Sequence, residues 1–164
     1  MIGLKSTGVH SNGYSLVRKL FGDEDKAALE QYDERLGATA AEVLLKPTKI
    51  YVKSILSLID KVAVKGIAHI TGGGFIENLP RILPEGVGCE VEKNSYDIPP
   101  VFKVMQERAG ITDEQIYNTF NMGIGMVVCV APENVEAAMK SLQETGEEVV
   151  VIGKTVAGKG VTLK

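Results

Sequence analysis

The chain alternates between short apolar runs and longer segments in which apolar residues recur at helical spacing. A short apolar or alternating run bounded by glycine, proline or polar residues is typical of a buried or half-buried strand. On this pattern we predict strands at 1–4, 66–71, 88–93, 126–131 and 148–153, with a last edge strand at 160–163.

The segments between these strands carry helical spacing. The clearest helix follows Thr48, a predicted N-cap, and shows one apolar face made of Tyr51, Ile55, Leu58, Ile59 and Val62. We predict helices at 14–21, 48–62, 100–109, 112–120 and 132–145, and a short helical segment after the glycines at 72–74. Ser11 or Asn12 is placed to cap the first helix, and Thr112 with Gln115 has capping-box spacing.

The order of elements indicates one domain, residues 1–164, of mixed helices and strands. The length suits a single core, and the chain shows no repeat and no linker. From residue 126 onward the order is strand, helix, strand, which is a right-handed crossover if the two strands are parallel in one sheet. The charge-rich segment 23–36 is interpreted as a solvated loop or surface helix without chemistry.

Composition narrows the class of protein. Hydrophobic residues make up 45% and charged residues 24%, as in a globular domain, and the net charge of -3 gives no basic footprint for nucleic acid. The sequence shows no membrane span and no signal peptide, so a cytoplasmic location is expected. Cys89 and Cys129 are predicted to be buried free thiols, and no metal site is predicted within this chain.

Three consecutive glycines, Gly72, Gly73 and Gly74, follow the predicted strand 66–71. A strand, a glycine loop and a helix start together present bare backbone N–H groups to an anion. The spacing is neither that of the Rossmann fingerprint nor that of the P-loop. A flexible turn is the alternative, and the pattern alone leaves both open.

Both histidines lie beside glycine-rich turns, and a histidine there can act as general acid, base or anion partner. The alternatives are a surface loop residue for His10 and a satisfied core residue for His69. Asn12 can donate its amide to a ligand or cap a helix. Asn121 can likewise bind a ligand, or it can be a turn residue. Two further residues, Lys49 and Lys53, are interpreted as solvated lysines in preference to a phosphate clamp.

Three sequence blocks together carry a resemblance to a known family. They are Gly8 to Leu16 (GVHSNGYSL), His69 to Pro80 (HITGGGFIENLP) and Phe120 to Met126 (FNMGIGM). With the segment PTKIYV at 47–52, they resemble the phosphoribosylformylglycinamidine cyclo-ligase family, the aminoimidazole ribonucleotide synthetases of purine biosynthesis. The blocks stand in family order over nearly the whole chain.

The resemblance covers the C-terminal half of that family. It implies an α+β fold, a three-layer α/β/α domain with partial ferredoxin-like topology. It also implies an N-terminal domain outside this sequence. That domain provides most of the residues that bind ATP and Mg²⁺, and it forms the homodimer. We therefore expect a C-terminal domain excised from a longer enzyme, inactive by itself, with its active site in the groove between the two halves.

The family reaction implies roles for particular residues. ATP phosphorylates the formyl oxygen of formylglycinamidine ribonucleotide, an amidine nitrogen attacks, and phosphate leaves as the imidazole closes. On the resemblance, the catalytic residues are His10 and His69, and the substrate- or phosphate-binding residues are Asn12, Gly72, Gly73, Gly74, Asn121 and Gly123. The alternatives are a kinase-like relative acting on thiamine phosphate or selenide, and a free-standing module that binds a phosphoribosyl ligand without turnover.

Overall fold

A computed structural model describes residues 1–22 and 25–164. Its strands are β1 (Ile2–Lys5), β2 (Tyr32–Asp33), β3 (Ala38–Thr39), β4 (Val64–His69), β5 (Val87–Val91), β6 (Ile124–Val130), β7 (Val149–Val151), β8 (Gly153–Ala157) and β9 (Val161–Leu163). Its helices are α1 (Tyr14–Phe21), α2 (Lys26–Glu30), α3 (Ala40–Leu44), α4 (Val52–Lys61), α5 (Gly74–Asn78), α6 (Pro100–Ala109), α7 (Asp113–Tyr117) and α8 (Val135–Glu144). Short 3₁₀ turns lie at Pro80–Ile82, Lys93–Ser95 and Pro132–Asn134.

The central sheet has the strand order β4-β6-β1-β7, and each neighbouring pair is antiparallel. Because β6 and β7 are both antiparallel to β1, they run parallel to each other, and α8 joins them. This confirms the predicted strand–helix–strand unit within one sheet. The sheet strands and the helices α4 and α8, which pack together, follow in the order β-α-β-β-α-β, with insertions between them.

The two faces of this sheet belong to different cores because side chains alternate along a strand. On β6, Val127 packs into the larger core with Phe102 and Phe120, while Val128 packs into the smaller core. The smaller core is closed by Leu58 of α4 and Leu142 of α8, which are fully buried. Helices therefore cover both faces, and the domain is a mixed α+β fold as predicted.

A second, three-stranded sheet has the strand order β8-β5-β9. Strand β5 is antiparallel to β8 and parallel to the predicted edge strand β9. The predicted strand 148–153 divides: Val149–Val151 joins the central sheet, and at Gly153 the chain passes into the second one. A side chain at Gly153 would overlap the carbonyl oxygen of Glu90, so the two backbones can approach this closely only at glycine.

Several helix boundaries differ from the prediction. Gly13, in a left-handed conformation, is the N-cap of α1, so neither Ser11 nor Asn12 caps it. Helix α4 begins at Val52 with Tyr51 as N-cap, and the prediction that Thr48 caps this helix is wrong. Helix α7 keeps the predicted capping box but ends at Tyr117, before residue 120.

The charge-rich segment contains more structure than predicted. Its described part holds α2, an exposed helix that agrees with the predicted surface helix, and β2, which pairs with β3 just beyond the segment. A capping box at Thr39 then starts α3. The prediction for Asp23 and Glu24 lies outside the described residues. Asp33 in this hairpin pairs with both Arg35 and Arg108, so surface ion pairs tie the insertion to α6.

We expect Gly153→Ala to destabilise the chain far more than Gly158→Ala. Both glycines have strongly positive φ angles, but a side chain at Gly158 meets nothing within 4 Å, whereas one at Gly153 meets the backbone of Glu90. Overpacking of this kind costs about 1–3 kcal/mol. Urea unfolding of the two variants measures the difference, and equal losses would contradict the close approach.

Candidate functional site

The glycine loop leaves β4 and turns directly into α5. Gly73 and Gly74 have φ angles of 90° and 51°, in the region that favours glycine. A side chain at Gly74 would overlap the carbonyl oxygen of Tyr117 and would lie 2.9 Å from that of Phe120. Gly72 has no such constraint, so the second and third glycines are required by the backbone path and by packing.

Asn78 holds the carbonyl side of this loop. Its side-chain amide donates to the carbonyl oxygens of Gly74 at 2.7 Å and Gly72 at 3.2 Å. Within the described residues, the N–H groups of Gly72 and Gly73 have no hydrogen-bond partner. With the carbonyls turned inward, these two donors are left for another acceptor, as an anion-binding loop requires.

One acidic side chain lies against the loop. A Cβ at Gly73 would lie 2.6 Å from a carboxylate oxygen of Glu77, which forms an ion pair with Arg81 at 3.2 Å. A phosphate at Gly73 would therefore meet a carboxylate whose charge Arg81 offsets.

The two histidines lie in environments opposite to the alternatives that their sequence neighbours suggested. His10 is only 4% exposed and has a left-handed backbone with φ of 60°, so it is not a surface loop residue. His69 is exposed at the end of β4, an edge strand, and so it is not a core residue.

The structure brings the first loop and the glycine loop together. A Cβ at Gly72 would lie 3.6 Å from the side-chain oxygen of Asn12. The ring centroid of Tyr51 lies 6.2 Å from that of His10 and 6.4 Å from that of His69. The predicted residues of the two loops thus form one wall, with Tyr51 between the histidines.

An open groove of about 370 Å³ runs along this wall. His69 and Tyr51 line it together with apolar side chains of α4 and with Met126 of β6. Lys49 also belongs to the lining. The groove offers a mostly apolar floor with a few convergent polar groups, which is the usual composition of a small-molecule site.

Asn121 lies behind the wall. Its amide nitrogen donates to the carbonyl oxygens of Gly8 at 2.9 Å and Val9 at 3.2 Å, and its oxygen accepts from the N–H of Gly123 and the hydroxyl of Ser6. The residue is 3% exposed. Its side chain is occupied by protein groups, and any part in binding acts through the loops it holds.

Gly123 is likewise constrained by packing. Its φ is 94°, and a Cβ there would lie 2.5 Å from Cδ of Pro99. Its carbonyl oxygen accepts from the N–H of Ser6 at 2.8 Å. Like Asn121, it joins the turn before β6 to the first loop.

Sequence reasoning missed a buried charged group next to the groove. The amine of Lys49 lies 2.6 Å from a carboxylate oxygen of Glu147, and the other oxygen accepts from Ser54 at 2.6 Å. Glu147 is 7% exposed, so this pair is shielded from solvent. Lys49 is half-buried and paired, which corrects the interpretation of a solvated lysine, whereas Lys53 is exposed as predicted. No sequence signal separates the two lysines, because the pairing residue lies in a distant loop.

Gly125 was also missed as a determinant of the wall. A Cβ there would overlap the hydroxyl of Tyr51 and would lie 2.6 Å from Cε1 of His10. The hydroxyl donates to the carbonyl oxygen of Lys5 at 2.9 Å. Both rings can therefore pack on β6 only because this position lacks a side chain.

Burial controls protonation at the wall. Burial, followed by the positive charges of His69 and Lys49, lowers the pKa of His10 to about 4. Burial and the nearby Glu147 raise the pKa of Tyr51. His10 and Tyr51 are therefore neutral near pH 7.

The part of the chain that the structure describes lacks both a metal-binding cluster and a membrane-spanning helix. No three residues among His, Cys, Asp and Glu lie together where they could hold a metal ion. No described helix is long and apolar enough to cross a membrane.

The fold and the wall define an α+β domain with a glycine loop, one histidine that lines a groove and a second histidine buried next to it. The whole chain, residues 1–164, matches the family described as "AIR synthase related protein, C-terminal domain". The chain belongs to this family.

Curated relatives of high similarity share one name. Phosphoribosylformylglycinamidine cyclo-ligases of Bacillus cytotoxicus and Alkaliphilus oremlandii are 53% and 54% identical over 98% and 96% of the chain. A Bacillus cereus protein of the same name is 52% identical over 99% of the chain. The match covers 46–47% of these relatives, so the chain spans about half of their length.

Solved structures share the fold at low identity. A thiamine-monophosphate kinase from Stenotrophomonas maltophilia matches with a TM-score of 0.61 and 14% identity, over 99% of this chain and 49% of its own. HypE of E. coli matches with a TM-score of 0.60 and 19% identity, over 99% and 46%. At this identity the likeness supports the fold alone.

We expect the free energy of unfolding to fall by about 2 kcal/mol between pH 7 and pH 5 on account of His10. The pKa of this histidine is lower in the folded than in the unfolded chain, so the unfolded state binds more protons as pH falls below 6.5. The stabilisation is present above that pH and is lost as pH falls toward 4.

Urea unfolding across this pH range tests the effect in two variants. His10→Asn keeps a residue that tolerates φ of 60° and should flatten the pH dependence. His69→Gln should retain the contribution of His10. An unchanged slope in His10→Asn would contradict the assignment.

Proposed function

We propose that this chain is the C-terminal half of an ATP-dependent cyclo-ligase that converts formylglycinamidine ribonucleotide to aminoimidazole ribonucleotide, ADP and phosphate. The observation that carries the proposal is the convergence of His10, Asn12 and His69 with the glycine loop in a chain that is 53% identical to half of an enzyme of that name. A cytoplasmic location and purine biosynthesis follow from that reaction.

The reaction needs a group that receives phosphate oxygens. The free N–H groups of Gly72 and Gly73 supply donors without a side chain in the way, and Asn78 keeps the loop carbonyls turned away. Asn12, at the edge of the same loop, can donate its amide to the ribotide or to a phosphate. Asn121 and Gly123 hold the first loop in place, and Gly74 sets the turn into α5.

The reaction also moves protons. Ring closure creates charge on the amidine and formyl groups, and a histidine at the groove can stabilise it or carry a proton. His69 is exposed in the groove lining and can reach a ligand directly, whereas His10 stands behind Tyr51.

Mg²⁺ that accompanies ATP does not fit the described residues of this half, because they hold no cluster of metal ligands. We assign the Mg²⁺ site, and most of the contacts to ATP, to the N-terminal half of the full-length enzyme. The curated relatives are about twice as long as this chain, which leaves length for such a domain.

An exposed apolar stripe, which starts in the groove lining and continues along α4, supports the docking of that half here. Val52, Leu56 and Ile59 lie at i, i+4 and i+7 on α4 and are 62%, 57% and 49% exposed, and Ile50 before the helix is 81% exposed. Ile59 was predicted on the buried face of this helix, and its exposure shows that α4 is apolar on two sides. An apolar stripe of this kind marks an interaction surface, and the N-terminal half would close the groove that it borders.

The first prediction concerns phosphate. Gly72→Val should abolish binding of inorganic phosphate or ribotide while the far-UV circular dichroism stays normal. Gly72 has no positive φ, and a Cβ there would make only an ordinary contact, at 3.6 Å, with the side-chain oxygen of Asn12, so we expect a valine to shield the two free N–H groups while the fold is kept. Titration by calorimetry measures it, and unchanged binding would mean that the loop is only a turn.

The second prediction concerns the division into halves. The isolated chain should form no imidazole with ATP and formylglycinamidine ribonucleotide, and co-expression with the N-terminal half should restore ATP-dependent turnover. Ile59→Glu, on the same stripe but outside the groove lining, should weaken this restoration about tenfold or more, because a carboxylate would be buried at the interface.

Val151→Glu provides the matched control, since Val151 is 44% exposed on β7, the opposite edge of the central sheet. It should leave the restoration unchanged. Turnover by the isolated chain, or equal loss in both variants, would contradict the docking surface. A homodimer of the full-length enzyme is part of the same proposal, and sedimentation of the restored complex measures it.

A further inference from the structure

His10 has one ring nitrogen whose protonation the backbone decides. Its Nε2 accepts hydrogen bonds from the backbone N–H groups of Thr7 at 3.3 Å and Lys49 at 3.4 Å. A backbone N–H can only donate. A ring nitrogen that accepts from it carries no proton, so the proton of the neutral ring is on Nδ1.

The tautomer with its proton on Nε2 is disfavoured because it leaves more buried donors without an acceptor. A proton on Nε2 would face two backbone N–H donors and would leave both without an acceptor in a buried place, where each unmade bond costs stability. In the present arrangement a single donor, Nδ1–H, lacks a partner within the described residues.

The charged and titratable groups around the ring oppose a second proton. Lys49 approaches from the segment before α4, His69 from the end of β4, and the ring of Tyr51 lies between the two histidines. The carboxylate of Glu147 is paired with Lys49 rather than with His10. No acidic group among the described residues is within hydrogen-bond distance of the imidazole.

The two hydrogen bonds join separate parts of the chain. Thr7 belongs to the first loop, which also carries Asn12, and Lys49 belongs to the segment that leads into α4 and the groove lining. The imidazole thus fixes the spacing between the loop that meets Gly72 and the segment that carries Tyr51.

We propose that His10 is a positioning residue, locked as the neutral Nδ1–H tautomer, which holds Lys49 against the first loop, and that proton transfer at the groove belongs to His69. The tautomer and the positioning role stand on this chain alone. The assignment of proton transfer to His69 rests on the proposed function. The two histidines, which the sequence presents alike, thereby receive different tasks.

Other contacts hold the segment when the imidazole is removed. The hydroxyl of Thr7 donates to the carbonyl oxygen of Pro47 at 2.6 Å, that of Tyr51 donates to Lys5, and Lys49 pairs with Glu147. Loss of His10 should therefore remove the hydrogen bonds of the Thr7 and Lys49 amides without unfolding the domain.

The first experiment reads the tautomer in this chain. Since it has two histidines, His69→Gln leaves a single imidazole, and long-range ¹H–¹⁵N correlation then assigns its protons without ambiguity. We expect the proton on Nδ1, an unprotonated Nε2 and no change of charge from pH 8 to pH 5. A proton on Nε2, or a titration midpoint between pH 6 and pH 7, would overturn the proposal.

The second experiment reads the positioning. Amide hydrogen exchange of Thr7 and Lys49 should become at least tenfold faster in His10→Asn and stay unchanged in His69→Gln, while the amides of α8 keep their rates in both. Unchanged exchange in His10→Asn would overturn the positioning role. If His10→Asn fails to fold, the first experiment decides by itself.

A third experiment separates the two histidines in turnover by the enzyme restored with its N-terminal half. His10→Asn should lower kcat but keep the shape of the rate–pH profile, and His69→Gln should remove one limb of it. A limb lost in His10→Asn would overturn the proposal. Absence of turnover in the unsubstituted complex would contradict the proposed function instead, and the tautomer measurement would still decide the role of His10.

Discussion

The wall of the groove depends on one buried side chain, Asn121. Its amide satisfies carbonyl oxygens of the first loop while its oxygen accepts from the turn that leads into β6. A buried amide of this kind is stable only when its donors and acceptors are all engaged, so it specifies a single arrangement of the two loops. The position of His10 and of Asn12 relative to the sheet follows from that arrangement.

Two glycines, Gly125 and Gly74, allow the close packing that positions the wall. Gly125 lets the rings of His10 and Tyr51 pack directly on β6, and Gly74 lets the glycine loop approach the carbonyl oxygens at the end of α7. These positions leave no room for a methyl group, whereas one at Gly72 would make only an ordinary contact with the side chain of Asn12. The glycines of one sequence block thus serve two purposes, close packing at Gly74 and free donors at Gly72.

A buried ion pair gives the groove its polar end. Lys49 and Glu147 meet across α4 and the loop before β7, with Ser54 on the second carboxylate oxygen. Removing one partner from such a pair leaves an uncompensated charge in a poorly solvated place. The pair therefore fixes the segment that carries Tyr51, and it keeps a cation near the groove without placing a free one in it.

The sequence by itself determined the class of fold, most strands and helices, and the family. Apolar runs, helical spacing and capping boxes are local signals. The first two were sufficient for β6, α6 and α8, and a capping box marked the start of α7. The blocks around His10 and the triple glycine carried the family, because a loop that shapes a site retains recognisable residues. The hairpin of β2 and β3 escaped prediction because each strand has only two residues, too few for a pattern. Strand β8 escaped because it lacks a continuous apolar run and its partner β5 lies far away in the chain.

The tertiary structure decided what each residue of the wall can do. Burial and two backbone N–H groups make His10 a neutral acceptor, while the end of an edge strand leaves His69 exposed, although both follow the same local pattern in sequence. Asn121 was predicted to meet a ligand, and the fold surrounds it with protein groups instead. Protonation and access depend on groups that approach from distant segments, and local residue order carries no information about them.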